Sequence, residues 1–105
     1  MNYTTDEDQL TRLLYRKLPS SFRGVYSSNE LIASPRALGW PDTPPHALIV
    51  NTDSSNLPGT HWIALYLTAD DRGEVMDCYG LLPPTSVQRW LNEYTPRGWT
   101  YSRYL

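Results

Sequence analysis

The sequence predicts an α+β domain: a mainly antiparallel sheet with flanking helices. Three observations carry that expectation. Ala47-Leu48-Ile49-Val50 is a short continuous apolar run, the pattern of a strand buried on both faces. Two further strand-like segments, His61 to Thr68 and Glu74 to Cys78, are joined through the turn-forming Asp70-Asp71-Arg72-Gly73. Helical spacing of apolar residues occurs twice, once before these strands and once after them.

In chain order, Thr5 caps a helix whose first turn carries Asp6, Glu7 and Asp8, acids that face the positive end of the helix dipole. Leu10, Leu13, Leu14 and Leu18 then form one apolar face, and Pro19 stops the run, so residues 5–18 read as an amphipathic helix packed across one edge of a sheet. From Pro19 to Pro45 periodicity is lost. Phe22-Arg23-Gly24-Val25-Tyr26 has room for a few extended residues, Ser28 to Leu31 for one helical turn, and Thr43-Pro44-Pro45 is extended because a residue before proline avoids the helical region. A stretch of this length without regular pattern is functional or is shaped by tertiary packing. After the central strand, Asn51 to Gly59 is a turn-rich loop. Beyond Gly80 and Pro83-Pro84, Thr85 or Ser86 caps a second helix with Val87, Trp90, Leu91 and Tyr94 on one face. Thr95-Pro96-Arg97-Gly98 turns the chain into a last strand, Trp99 to Tyr104.

Composition bounds the function. The 105 residues make one domain or part of one, 1–105, with no room for a second core. Nine Lys and Arg against eleven Asp and Glu give a net charge of −2, which argues against a chain that works by neutralising nucleic-acid phosphates. No apolar run approaches the ~18 residues of a membrane span. The acidic amino-terminal residues lack a signal-peptide core, so the expected location is intracellular, in the cytoplasm or nucleus. Cys78 alone gives no disulfide framework and no multi-cysteine zinc module. No Gly-rich phosphate loop is present, and neither a metal nor another cofactor is expected. Four Trp and eight Tyr stand beside a single Phe, so many rings carry a polar handle suited to a groove or surface.

Two residues stand out chemically. His61 begins a strand whose remainder is apolar, and a strand end on a rigid sheet holds a side chain well. Asp77 ends the strand that pairs with it, a poor place for a carboxylate without a partner. Whether they meet depends on the hairpin. A three-residue loop, Ala69 to Asp71, sets Asp77 opposite Ile63 and one same-face step from His61, ~7–8 Å between backbones. A five-residue loop separates them by about 13 Å, and a two- or four-residue loop puts them on opposite faces. Paired, they form an imidazole oriented by a carboxylate, the general base that a Ser or Cys nucleophile needs. Cys78, adjacent to Asp77 in a strand, points to the other face and reads as a small buried hydrophobe. His46, at the start of the central strand, reads as a boundary residue.

Phe22-Arg23-Gly24-Val25-Tyr26, Ala47-Leu48-Ile49-Val50-Asn51-Thr52, Gly59-Thr60-His61-Trp62-Ile63-Ala64 and Asp77-Cys78-Tyr79-Gly80 follow one another in an order and spacing that resemble adenain. Adenain is the adenovirus-type cysteine endopeptidase, and the versions carried by Polinton/Maverick-like transposons and related DNA viruses are the most similar. SUMO-deconjugating proteases share the same half-site more distantly. The resemblance spans about Phe22 to Pro84 and implies part of a papain-like, adenain-like fold. It implies His61 as general base, Asp77 as its orienting acid, Trp62 packed beside the site and Asn51 near the cleft.

It implies protein or peptide substrates, viral or transposon structural-protein precursors, and a host-cell or virion-associated setting. In the family a Gln of the oxyanion hole and a Cys-Gly nucleophile follow a strand like Trp99 to Tyr104. That Gln would fall about where the sequence stops at Leu105. The expectation is therefore an amino-terminal, incomplete protease domain whose partner is the missing carboxy-terminal segment, inactive by itself. The alternatives are a degenerate, non-catalytic protease fragment that binds peptides through its aromatic groove, and an unstable relic.

Overall fold

The fold is described from a computed structural model, for residues 12, 20–52, 61–77 and 80–102. Its centre is β2 (His46–Asn51), where five of six residues are buried, as a strand with both faces covered requires. On one side lies β1 (Phe22–Ser27) and on the other β3 (Trp62–Leu67), followed by β4 (Gly73–Met76) and β5 (Trp99–Ser102). The strand order is β1-β2-β3-β4-β5.

The α+β class is present, but the sheet is mixed rather than mainly antiparallel. β2, β3 and β4 pair antiparallel, while β1–β2 and β4–β5 pair parallel. A parallel neighbour needs a crossover long enough to return the chain to the same end of the sheet. The segment between β1 and β2 supplies one, and helix α1 (Thr85–Tyr94), between β4 and β5, supplies the other. Apolar pattern reports burial and not strand direction, so these pairings leave no mark in the sequence.

The tight turn is the three-residue alternative. Asp71 N–H donates to Thr68 O at 3.1 Å, and Thr68 N–H to Arg72 O at 2.8 Å. Asp71 takes φ +65°, the left-handed conformation that closes such a hairpin and that Asp tolerates. Arg72 N–H donates to the Thr68 hydroxyl at 3.0 Å, and that hydroxyl in turn bonds the Asp70 carboxylate. The register that follows sets Leu67 opposite Gly73 and Ala64 opposite Met76.

Alternation sorts the strands into two faces. Leu48, Val50, Ile63, Leu65, Leu67 and Val75 pack with Val87, Trp90 and Leu91 of α1, together with Leu31 and Trp40. Ala47, Ile49 and Ala64 form a smaller cluster on the other face, with Phe22, Trp62, Tyr66 and Met76 against it.

The segment after β1 is ordered by this packing. A single 3-10 turn, Ser28–Glu30, follows β1, and Ser27 N–H donates to Glu30 Oε1 at 2.7 Å. Trp40 Nε1–H donates to the Tyr26 hydroxyl at 2.9 Å, and Trp90 Nε1–H to Ala33 O at 2.8 Å. The Pro44–Pro45 peptide is cis.

Helix α1 starts at Thr85, with Pro84 in the cap position and no side-chain cap, so neither Thr85 nor Ser86 caps it. Pro84 has the extended geometry of a cap residue, and its carbonyl accepts the first helical bond from Gln88 N–H at 2.9 Å. The expected helix over 5–18, Cys78, and the last residues of the expected strand to Tyr104 lie outside the described residues. Among the described residues, no helix is long and apolar enough to cross a membrane.

Candidate active site

His61 and Asp77 meet at one end of the sheet. The three-residue hairpin carries the β3–β4 register on to set Ile63 opposite Asp77, which puts Asp77 and His61 on the same face, one step apart. His61 Nε2 and Asp77 Oδ1 are 2.8 Å apart. The Asp77 side chain is 3% exposed and that of His61 25%, so the carboxylate is buried and the imidazole reaches the surface.

Neighbouring strands hold both backbones. Thr52, just past β2, donates its N–H to His61 O at 2.8 Å, and its hydroxyl does so at 3.2 Å. Asp77 N–H donates to Ser102 O at the end of β5 at 3.0 Å, and Gly80 N–H donates to Asp77 O at 2.9 Å. The pair is thus fixed by the ends of four strands, the rigid support that a catalytic group needs.

A carboxylate only accepts, so Nε2 carries the proton and Nδ1 is the basic nitrogen of the ring. In this tautomer Asp77 fixes the orientation of the ring, the geometry of a carboxylate-oriented imidazole.

Trp62 and Asn51 stand at the same end of the sheet as His61. They sit opposite each other on β3 and β2, on the face away from His61 and Asp77. Trp62 packs on the Ala47–Ile49–Ala64 cluster, and its indole N–H is buried without a hydrogen-bond partner among the described residues. The loop that follows Asn51, from 53 to 60, lies outside the described residues.

His46 is not a simple boundary residue. It is 3% exposed and takes a hydrogen bond at Nδ1 from Arg23 Nε at 2.9 Å. Burial, and then the Arg23 guanidinium, hold its pKa below the ordinary 6.5. It borders a cavity of about 120 Å³ with Asp42, Asp71 and Tyr94, at the opposite end of the sheet from His61. Nothing in the sequence singled these residues out as a group, because they come from separate segments with no motif spacing.

No group of three or more His, Cys, Asp or Glu among the described residues could hold a metal ion. Comparison with known protein families, with curated proteins and with solved structures found no match for this chain.

Proposed function

We propose that this chain carries the general-base half of an adenain-like cysteine endopeptidase site. The observation that supports the reading is the His61–Asp77 contact at 2.8 Å, with the acid buried and the base at the surface. In the proposed mechanism, His61 Nδ1 takes the proton of a cysteine thiol, giving a thiolate–imidazolium pair stabilised by Asp77. The thiolate attacks the scissile carbonyl. A Gln side chain and a backbone N–H hold the oxyanion that forms. The imidazolium then gives its proton to the leaving amine, and water, deprotonated by the same ring, releases the acyl group. In this reading the Cys and the Gln come from a segment that follows a strand like β5, as the resemblance implies, and the substrates are structural-protein precursors.

The test joins residues 1–105 to a family segment carrying Gln and Cys-Gly and assays peptide hydrolysis. Cleavage is expected, with a loss of roughly 10²–10⁴-fold in His61→Ala, the contribution of a positioned general base. Cleavage that persists after the supplied Cys is changed to Ala, or full activity in His61→Ala, defeats the mechanism.

One observation favours the second reading, a non-catalytic peptide-binding module. β5 ends the strand order, with Thr100, Tyr101 and Ser102 exposed, and an extended peptide can add to such an edge. That reading gives saturable peptide binding to the joined chain without cleavage.

A further inference from the structure

A circuit of contacts around His46 fastens the edge strand β1 to the sheet, and it holds only while the imidazole is neutral. Arg23, on β1, donates Nε–H to His46 Nδ1 at 2.9 Å, so Nδ1 is the acceptor and carries no proton. The same guanidinium donates to Ser20 O at 3.2 Å and to Pro45 O at 3.3 Å. One side chain thus ties the start of β1 to the start of β2, and Ala47 N–H adds a backbone bond to Ser21 O at 2.9 Å. The Tyr26 hydroxyl donates to Arg23 O at 3.1 Å and accepts from Trp40 Nε1–H. The Trp40 ring closes the circuit, tilted against His46 with centroids 5.0 Å apart.

A proton on Nδ1 turns the acceptor into a donor and sets an imidazolium against a guanidinium where His46 is 3% exposed. Trp40 tolerates the change, because an aromatic ring accepts a cation beside it. The repulsion therefore falls on Arg23. β1 is the element able to give way: it ends the strand order, none of its six residues is buried, and its register with β2 shifts between Phe22 and Val25. From β3 the residue facing His46 is the apolar Leu67. Among the described residues, the other titratable groups near the ring are Asp42, Asp71 and Tyr94, which border the cavity beside it from the β1–β2 crossover, the β3–β4 hairpin and α1. Neither carboxylate is ion-paired with His46, and both are exposed, so water screens their attraction for an imidazolium.

We propose that Arg23 and His46 form an acid-released latch: protonation of His46 Nδ1 expels the guanidinium and opens the start of β1 while the rest of the sheet stays folded. The direction of the pKa agrees. Burial and then Arg23 hold it below 6.5, so the opened form takes up the proton first and opening is favoured as the pH falls below about 6.5. The device does not depend on the protease reading.

The experiment follows amide hydrogen exchange of the 105-residue chain by NMR at pH 7.5 and 5.0, with rates corrected for intrinsic exchange. The Ala47 and β1 amides are expected to be less protected than those of β3 at both pH values, which marks local rather than global opening. Their protection is expected to fall by about 3- to 30-fold at pH 5.0, the upper bound being set by an ordinary pKa of 6.5 in the opened form. His46→Gln, whose amide oxygen can still accept from Arg23, is expected to abolish that fall. Arg23→Gln, on a partly exposed strand, is expected to reduce it, because an amide donates to the neutral ring and accepts from the protonated one. The proposal is overturned by Ala47 and β1 protection equal to that of β3, by protection that does not change with pH, or by the full fall persisting in either variant.

Discussion

His61 and His46 sit at opposite ends of the same sheet, and the partner of each decides its character. At His61 a buried carboxylate accepts a hydrogen bond from Nε2–H, which leaves Nδ1 as the ring nitrogen without a proton. At His46 a guanidinium occupies Nδ1, so the ring stays neutral with its proton on Nε2. This difference has a pH signature. Burial and then Arg23 put the pKa of folded His46 below the unfolded value of 6.5, so on acidification the unfolded chain takes up the proton first. Stability from this residue is complete above about pH 6.5 and is lost progressively as the pH falls towards the lower folded value. Urea midpoints measured at pH 7.5 and 5.5 are expected to drop less in His46→Gln than in the parent chain. An identical drop in both would remove the assignment.

At the scale of elements, β4 and β5 lie side by side beneath the end of α1, and Gly73 permits it. A Cβ at Gly73 would stand 2.9 Å from Thr95 Cγ2 and 3.0 Å from Trp99 Cβ, closer than carbon atoms tolerate. Neither neighbour can swing away easily. Thr95 is 2% exposed, with its hydroxyl bonded to Leu91 O at 2.5 Å, and Trp99 Cβ is attached directly to the backbone of β5. Gly73→Ala is therefore expected to destabilise the fold by about 1–3 kcal/mol through overpacking, read from urea unfolding. A change within a few tenths would mean that α1 and β5 shift freely over β4. The same strands carry the candidate site. The three-residue hairpin with Asp71 at its last loop position sets the register, and a slip of one residue would turn Asp77 to the other face from His61.

Over the whole molecule, a relay of rings ties the irregular segment between β1 and β2 to the helix. Tyr26 and Trp40 have centroids 5.8 Å apart, Trp40 and Trp90 5.9 Å, and Trp90 and Tyr94 5.4 Å. Trp90 is 3% exposed and also donates to Ala33 O. Trp90→Ala removes its contacts at once and is expected to cost about 3–5 kcal/mol. That is a large share of the ~5–15 kcal/mol that holds a domain together. Thermal unfolding followed by near-ultraviolet circular dichroism should show a melting temperature lowered by well over about 10 °C. Trp90→Phe is expected to recover much of the loss, since a ring is kept.

Local chemistry made much of this legible in advance. The apolar run at β2, the amphipathic spacing of α1 and the turn residues after β3 each state their conformation within a few neighbouring residues, so these elements are readable from the chain alone. His61 and Asp77 were readable as candidates for the same reason, since a strand-end imidazole and a carboxylate in an apolar strand are locally conspicuous. Their contact was not, because it hangs on a loop length that several turn types satisfy. Strand direction at the two sheet edges was equally silent, since parallel and antiparallel neighbours bury the same side chains. The Arg23–His46 bond and the cavity beside it join residues 23, 42, 46, 71 and 94, far apart in the chain and without periodicity. Only the folded sheet, which brings these separate segments to one end, decides that they become neighbours.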